Sequence, residues 1–287
     1  MVRKILAKSY VFLILLILYL PILVLIVFSF TEPSYAVGGR QNTNLEWNGF
    51  SVMLYGQLFK NKELMTALGN TILIAVISAF VATVLGSLGA IGAFYSSKKS
   101  KKFIDGLNQI PVANAEIIMA ISIAILFTFL GSVIFKTSLF NFWTLLIGHV
   151  VLSAPFVYLN VKPKLAQLDP SLYEAALDLG AKPRQALFKI ILPEILPGIF
   201  AGFILAITLS LDDFIMTAFL RGPGLLSGNG NIDTLSTYVQ SKLKLSGAPA
   251  ELRALTAIIF LIVITIVVGI IIKQNRSLKS KKERRNF

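Results

Sequence analysis

The 287-residue chain is 55% hydrophobic and only 14% charged, and its 27 Lys and Arg outnumber 14 Asp and Glu to give a formal net charge of +13. That much apolar side chain cannot be buried in an ordinary soluble domain, so lipid must cover part of it and the chain reads as an integral membrane protein. The absence of Cys excludes disulfides and thiolate metal sites, and the lone His149 cannot build a metal cage.

About 20 mostly apolar residues cross a hydrocarbon core as a helix. Six runs of this kind are present, over residues 9–30, 64–95, 107–130, 142–161, 195–220 and 252–273, which predicts an all-α membrane protein with six transmembrane helices in one domain, 1–287. The first run is longer than the apolar core of a signal peptide and no small-x-small cleavage pattern follows it closely, so it reads as an uncleaved anchor. The second is longer than one span requires, so part of it must tilt or lie outside the core. Gly86, Gly89 and Gly92 within it suggest close helix packing, and Tyr95 at its end and Trp143 at the start of the fourth run suggest interfacial anchors. His149, set among Leu, Ile and Val in the fourth run, is expected to hydrogen-bond a neighbouring helix.

Basic residues set the orientation. Nineteen of the 27 Lys and Arg fall at the N-terminus, between the second and third runs, between the fourth and fifth, and in the tail 273–287. By the positive-inside rule that side is cytoplasmic, with both termini on it. The asymmetry accounts for the net charge without a nucleic-acid partner, and clusters such as Lys98 to Lys102 suit anchoring against anionic lipid.

Between the fourth and fifth runs lies a polar, helix-patterned segment, 169–193. Asp169 before Pro170 is a helix start, with a side-chain acceptor at the cap and a fixed φ at the first helical position. Gly180 permits a left-handed stop. Between them Leu172, Ala175, Ala176 and Leu179 share a face at helical spacing, its small residues allowing close approach of a partner. Pro183 then opens a second helix that runs into the fifth span. A helix lying on lipid would prefer large apolar residues to Ala175 and Ala176.

Read in full, residues 174–193 are EAALDLGAKPRQALFKIILP. Glu174-Ala175-Ala176, Gly180 four residues on, then Ile190-x-Leu192-Pro193 after nine more resemble the EAA loop of ABC importer permeases, the cytoplasmic element that docks on an ATPase. The likeness runs from about Tyr10 to Ile272 and is closest to PotC-type permeases of spermidine/putrescine importers, through Trp47-x-Gly49-Phe50, Glu116-Ile117-x-Met119-Ala120-Ile121-Ser122, Leu209-Ser210-Leu211-Asp212-Asp213 and Gly222-Pro223. It implies the type I ABC importer permease fold in a bacterial inner membrane. It also implies a heterodimer with a second permease, two cytoplasmic ATPases and an extracytoplasmic polyamine-binding protein. ATPase coupling then falls to Glu174, Ala175, Ala176, Asp178, Gly180, Ile190, Leu192 and Pro193. Relatives often place Pro directly before the acid in the third span; here Ala115 stands there and the nearest proline is Pro111, which leaves the helix break and the depth of Glu116 open.

Three acids lie within the spans: Glu116, Asp212 and Asp213. Each costs about 2.5–3.5 kcal/mol at mid-bilayer on insertion scales, so they should face protein or a water-filled path. A polycation in such a path needs carboxylates, because desolvated ammonium groups must be paired. Neighbouring helical residues point about 100° apart, so Asp212 and Asp213 cannot both line one narrow path unless the helix breaks there. Anion importers of the resembled superfamily often carry an acid-Phe pair where Asp213-Phe214 stands, which makes Asp213 the architectural acid and Asp212 with Glu116 the cation signal.

No Walker loop is present, so ATP hydrolysis would belong to a partner chain and no cofactor is expected. The function expected is a non-catalytic permease subunit for polyamines, with a ferric iron or phosphonate permease as the alternative. A membrane enzyme would need catalytic groups clustered at one interface, and a secondary carrier should show internal repeats; neither pattern is found.

Overall fold

The computed structural model describes residues 2–32, 47–169, 171–222, 232–245 and 249–283, which fall into two compact units, 1–65 with 239–287 and 66–238.

In the first unit, α1 (Val2–Phe28) and α12 (Glu251–Glu283) are long helices that contain the first and sixth apolar runs. Tyr19 meets Phe260 edge-on at 6.4 Å between ring centroids. The short α2 (Met53–Lys60) buries Leu54 and Leu58 and packs on α12. The chain after α1 is fastened to the start of α2: Thr31 bridges Phe50, the Ser51 N–H donates to the Phe30 carbonyl at 2.7 Å, and Ser29 shares a 2.8 Å hydrogen bond with the Tyr55 hydroxyl. Most apolar side chains of α1 from Tyr10 to Leu20 stay exposed, as a lipid-facing helix requires.

The second unit is built around α6 (Phe142–Ala166), the most buried of its candidate membrane spans. The chain enters it through a capping box in which Asn141 accepts from the Thr144 N–H and Thr144 answers the Asn141 N–H. Val157, fully buried, is clasped from two sides by glycines. On α3 (Lys62–Tyr95), a Cβ on Gly86 would stand 2.7 Å from the Ala154 carbonyl oxygen and 2.8 Å from Val157 Cβ. On α9 (Leu192–Asp212), a Cβ on Gly202 would stand 3.1 Å from the Val157 backbone. The small residue is needed only at Gly86 of the three expected: Gly89 has ordinary contact with Tyr158, and Gly92 faces open space.

Two apolar runs are broken where one helix each was expected. The third divides into α4 (Lys98–Ala113), with no buried residue, and α5 (Glu116–Phe129), which continues as a π-helical turn, Leu130–Phe135. The break falls at Asn114 and Ala115, both extended, so a proline before the acid is not required for it. In the fifth, the helix that opens at Pro183 runs into the span: α8 (Pro183–Ala186) and a π-helical turn, Leu187–Ile191, lead without interruption into α9. It then breaks at Asp213, whose ψ of 122° is extended, before α10 (Ile215–Leu220) resumes. With the stretch Lys8–Phe28 of α1, five helices among the described residues are long and apolar enough to cross a membrane; the sixth run lies within α12.

The glycine clasp predicts an asymmetry. Gly86→Ala should destabilise the protein by about 1–3 kcal/mol, the usual cost of overpacking, whereas Gly92→Ala should cost nothing. Thermal unfolding in detergent would check this, and equal melting temperatures for the two variants would contradict the contact.

Candidate functional site: an acid-lined cavity at two helix breaks

The two breaks meet. Residues 111–116 at the α4–α5 junction, Met119, Leu152 and Phe156 of α6, and the stretch 209–215 surround a half-open cavity of about 450 Å³. Its walls carry all three intramembrane acids expected from sequence, Glu116, Asp212 and Asp213, and, among the described residues, no Lys, Arg or His.

The three carboxylates are in different situations. Asp213 is buried and fully engaged: its Oδ1 accepts from the Met216 N–H at 3.1 Å, and its Oδ2 from the Thr217 N–H at 3.1 Å and the Thr217 hydroxyl at 3.3 Å. It thereby caps α10, taking up N–H groups that the break leaves without helical partners. Its own carbonyl accepts from the Ser236 hydroxyl at 2.7 Å, at the start of α11 (Leu235–Leu245). Glu116 opens α5, where the positive end of the helix favours a carboxylate. It shares the cavity wall with Asp213, and its Oε1 is buried without a hydrogen-bond partner. Asp212, the last residue of α9, is exposed.

Behind Asp213 runs a buried polar chain that sequence reading had not assembled. His149 is fully buried and joins α6 to both halves of the broken helix: Nδ1 lies 2.8 Å from Ser210 Oγ, and Nε2 lies 3.2 Å from Thr217 Oγ1 and 3.4 Å from Asp213 Oδ2. Ser78 of α3 donates to Ser210 at 3.1 Å. Since the Thr217 hydroxyl gives its one proton to Asp213 Oδ2, it can only accept from Nε2, which assigns the His149 proton to Nε2 and leaves Nδ1 to accept from the Ser210 hydroxyl. The spacing of Ser210, Asp213 and Thr217 was the available signal, since they repeat at helical intervals around the acid.

Away from the cavity, Asp169 opens α7 (Ser171–Asp178) by accepting from the Ser171 N–H at 2.9 Å; Pro170 lies outside the described residues. The helix ends in a Schellman motif: Gly180 takes φ of +82°, the Ala181 N–H donates to the Ala176 carbonyl at 3.0 Å, and the Gly180 N–H to the Leu177 carbonyl at 2.9 Å. One expectation needs correction. Ala176 does not share the outer face, because it is buried, with the helix packed on the π-helical turn that follows α8. Leu172, Glu174, Ala175, Asp178 and Leu179 face outward, and Leu179 is 89% exposed. Ile190 and Leu192 are half-buried where that turn meets α9, and Pro193 is exposed.

Residues 82–276 match the family model for the binding-protein-dependent transport system inner membrane component. The chain belongs to this family. Among curated relatives, it is 33% identical over 252 residues to the spermidine/putrescine transport system permease protein PotC of Escherichia coli K12, covering 88% of this chain and 87% of that one. It is 32% identical over 244 residues to the putrescine transport system permease protein PotI of the same strain, covering 84% and 81%. Among solved structures, a chain of a bacterial ABC transporter that imports the acidic polysaccharide alginate aligns with TM-score 0.68 at 17% identity over 96% of each chain. A chain of the MetNI methionine ABC transporter aligns with TM-score 0.55 at 21% identity, covering 72% of this chain and 91% of its own. The fold is thus that of type I ABC importer permeases. The family member is a non-catalytic, multi-pass membrane subunit that works with partner permease, ATPase and binding-protein subunits.

Because Asp213 holds the break closed, Asp213→Asn should destabilise the subunit by about 1–3 kcal/mol, the cost of leaving buried donors without their acceptor. A fall in melting temperature and in the yield of inserted protein is expected; unchanged values for both would remove Asp213 from this role.

Proposed function

We propose that this chain is the permease subunit of an ATP-driven importer for polyamines of the spermidine and putrescine class. The observation that carries the reading is the cavity walled by three acids and, among the described residues, no base, in which one oxygen of Glu116 has no partner. Carboxylates at membrane depth are costly without counter-charge, and a linear polycation brings it. Asp213 is saturated by its own neighbours, so Glu116 and Asp212 are the pair left to meet an ammonium group. The printed names of PotC and PotI point to the same cargo, and an anionic phosphonate would be repelled by such walls.

In this reading an extracytoplasmic polyamine-binding protein delivers cargo, a second permease forms the other half of the path, and access alternates as the two permeases rock. Both termini and α7 face the cytoplasm. Two ATPases engage the outward face of α7 through Glu174, Ala175 and the apolar knob of Leu179. Ala176, Gly180, Ile190 and Leu192 join that face to the bundle. Because α7 sits between the end of α6 and the start of α8, and its Tyr173 ring lies 5.3 Å from Tyr95 of α3, a push on it moves the bundle as a body.

Two experiments test this. In the reconstituted complex, Glu116→Gln and Asp212→Asn should each lower labelled spermidine uptake by roughly tenfold, the effect of about 1.4 kcal/mol of lost charge pairing, with assembly unchanged. Full uptake by the double variant would refute the cation path and return the cargo to candidates such as ferric iron. Separately, Glu174→Lys or Ala175→Trp should abolish cargo-stimulated ATP hydrolysis while the subunit still inserts; normal stimulation in both would sink the docking assignment.

A further inference from the structure

The helices α4 and α6 that wall the cavity carry a second cluster beyond it. Pro111, Val112, Leu152 and Phe156 line the cavity; further along the same helices, toward the α7 end of α6, stand Asp105 on α4 and Tyr158 and Lys162 on α6. The Tyr158 hydroxyl donates to Asp105 Oδ1 at 2.5 Å, and Lys162 Nζ donates to the same oxygen at 2.7 Å. Nζ also stands 6.0 Å from the centroid of the Tyr158 ring. Both hydrogen bonds fall on Oδ1. They hold the Asp105 carboxyl below its ordinary range, the Lys162 bond contributing most and the Tyr158 bond next.

A carboxylate beside an aromatic ring is the chemistry that recognises an alkylammonium. The group it holds here, a primary ammonium on a flexible alkyl stem, is what the end of a polyamine is. We propose that Asp105 and Tyr158 form a second primary-ammonium station between the cavity and α7, occupied at rest by Lys162 as a tethered substitute for the cargo. Cargo leaving the cavity displaces the Lys162 ammonium from Asp105; when the cargo has gone, Lys162 returns and opposes re-entry from the cytoplasm. The exchange is feasible because the Lys162 and Asp105 side chains are 37% and 20% exposed, and a pair this wet is worth too little to resist an arriving ammonium. The inference rests on the polyamine reading of the cavity.

The test uses the complete transporter in proteoliposomes, importing labelled spermidine against unlabelled spermidine placed on the cytoplasmic side. Lys162→Met frees the station, so the concentration of cytoplasmic-side spermidine that halves import should fall roughly three- to fivefold, the range such an ion pair supports. Adding Asp105→Asn to Lys162→Met should abolish this sensitisation, and a neutral diol of matching length should produce none in any variant. A merely structural role for Lys162 would lower import and assembly without moving the half-inhibition concentration, and that result overturns the station. Failure of the unmodified transporter to import spermidine at all would instead overturn the cargo reading, and the station with it.

Discussion

A helix that breaks inside a lipid-embedded bundle frees backbone groups that water cannot satisfy, and the rest of the second unit is arranged around meeting that demand. Asp213 answers it at the break in the fifth apolar run by taking the Met216 and Thr217 N–H groups, while Ser236 takes its carbonyl. Once Asp213 is committed, His149 has to lie where it does, wedged between Ser210 on one side of the break and Thr217 on the other. That in turn requires α6 to run close against α9, which the bare backbones of Gly198 and Gly202 permit.

The same break helps to open the acid-lined cavity. Two straight helices crossing the membrane side by side would leave no such space, whereas two interrupted helices meeting at their breaks leave a cavity walled by helix ends. Irregular backbone at membrane depth is tolerated where it is buried in protein or lines a cavity, and here it does both. The division of labour among the acids follows from position. The one that caps a helix is consumed by structure, whereas the one at a helix start keeps an oxygen without a partner and the one at a helix end stays exposed.

Much of this was legible in the sequence because the physics behind it is local. Apolar runs of bilayer length identify spans wherever they occur, and the capping logic of Asp169 and Gly180 placed α7 between its observed ends. The pairing of Glu174-Ala175-Ala176 with Ile190-x-Leu192-Pro193 was specific enough to name the family. Other features were not legible. A hydropathy window cannot see one extended residue at Asp213 or two at Asn114 and Ala115, since a broken helix is as apolar as an intact one. Helical spacing groups Ala176 with Leu172 and Leu179 on the expected outer face, yet spacing does not say which side of a short helix its own bundle covers. The three glycines of α3 looked equivalent along the chain, and only Gly86 turned out to face a neighbour at backbone distance.

By itself, then, the sequence determined that the chain lives in a membrane, how many apolar runs it offers, between which of those runs its positive charge gathers and to which family it belongs, because composition, periodicity and short motifs are properties of the chain. The tertiary structure decided that Glu116, Asp212 and Asp213, almost a hundred residues apart at the extremes, share one cavity, and that only some of their oxygens are free. It also decided that Tyr158 and Lys162 of α6 meet Asp105 of α4. The physical reason is common to both: a carboxylate's role depends on which donors stand within hydrogen-bonding distance, and those donors come from other helices, brought there by packing that no local pattern encodes.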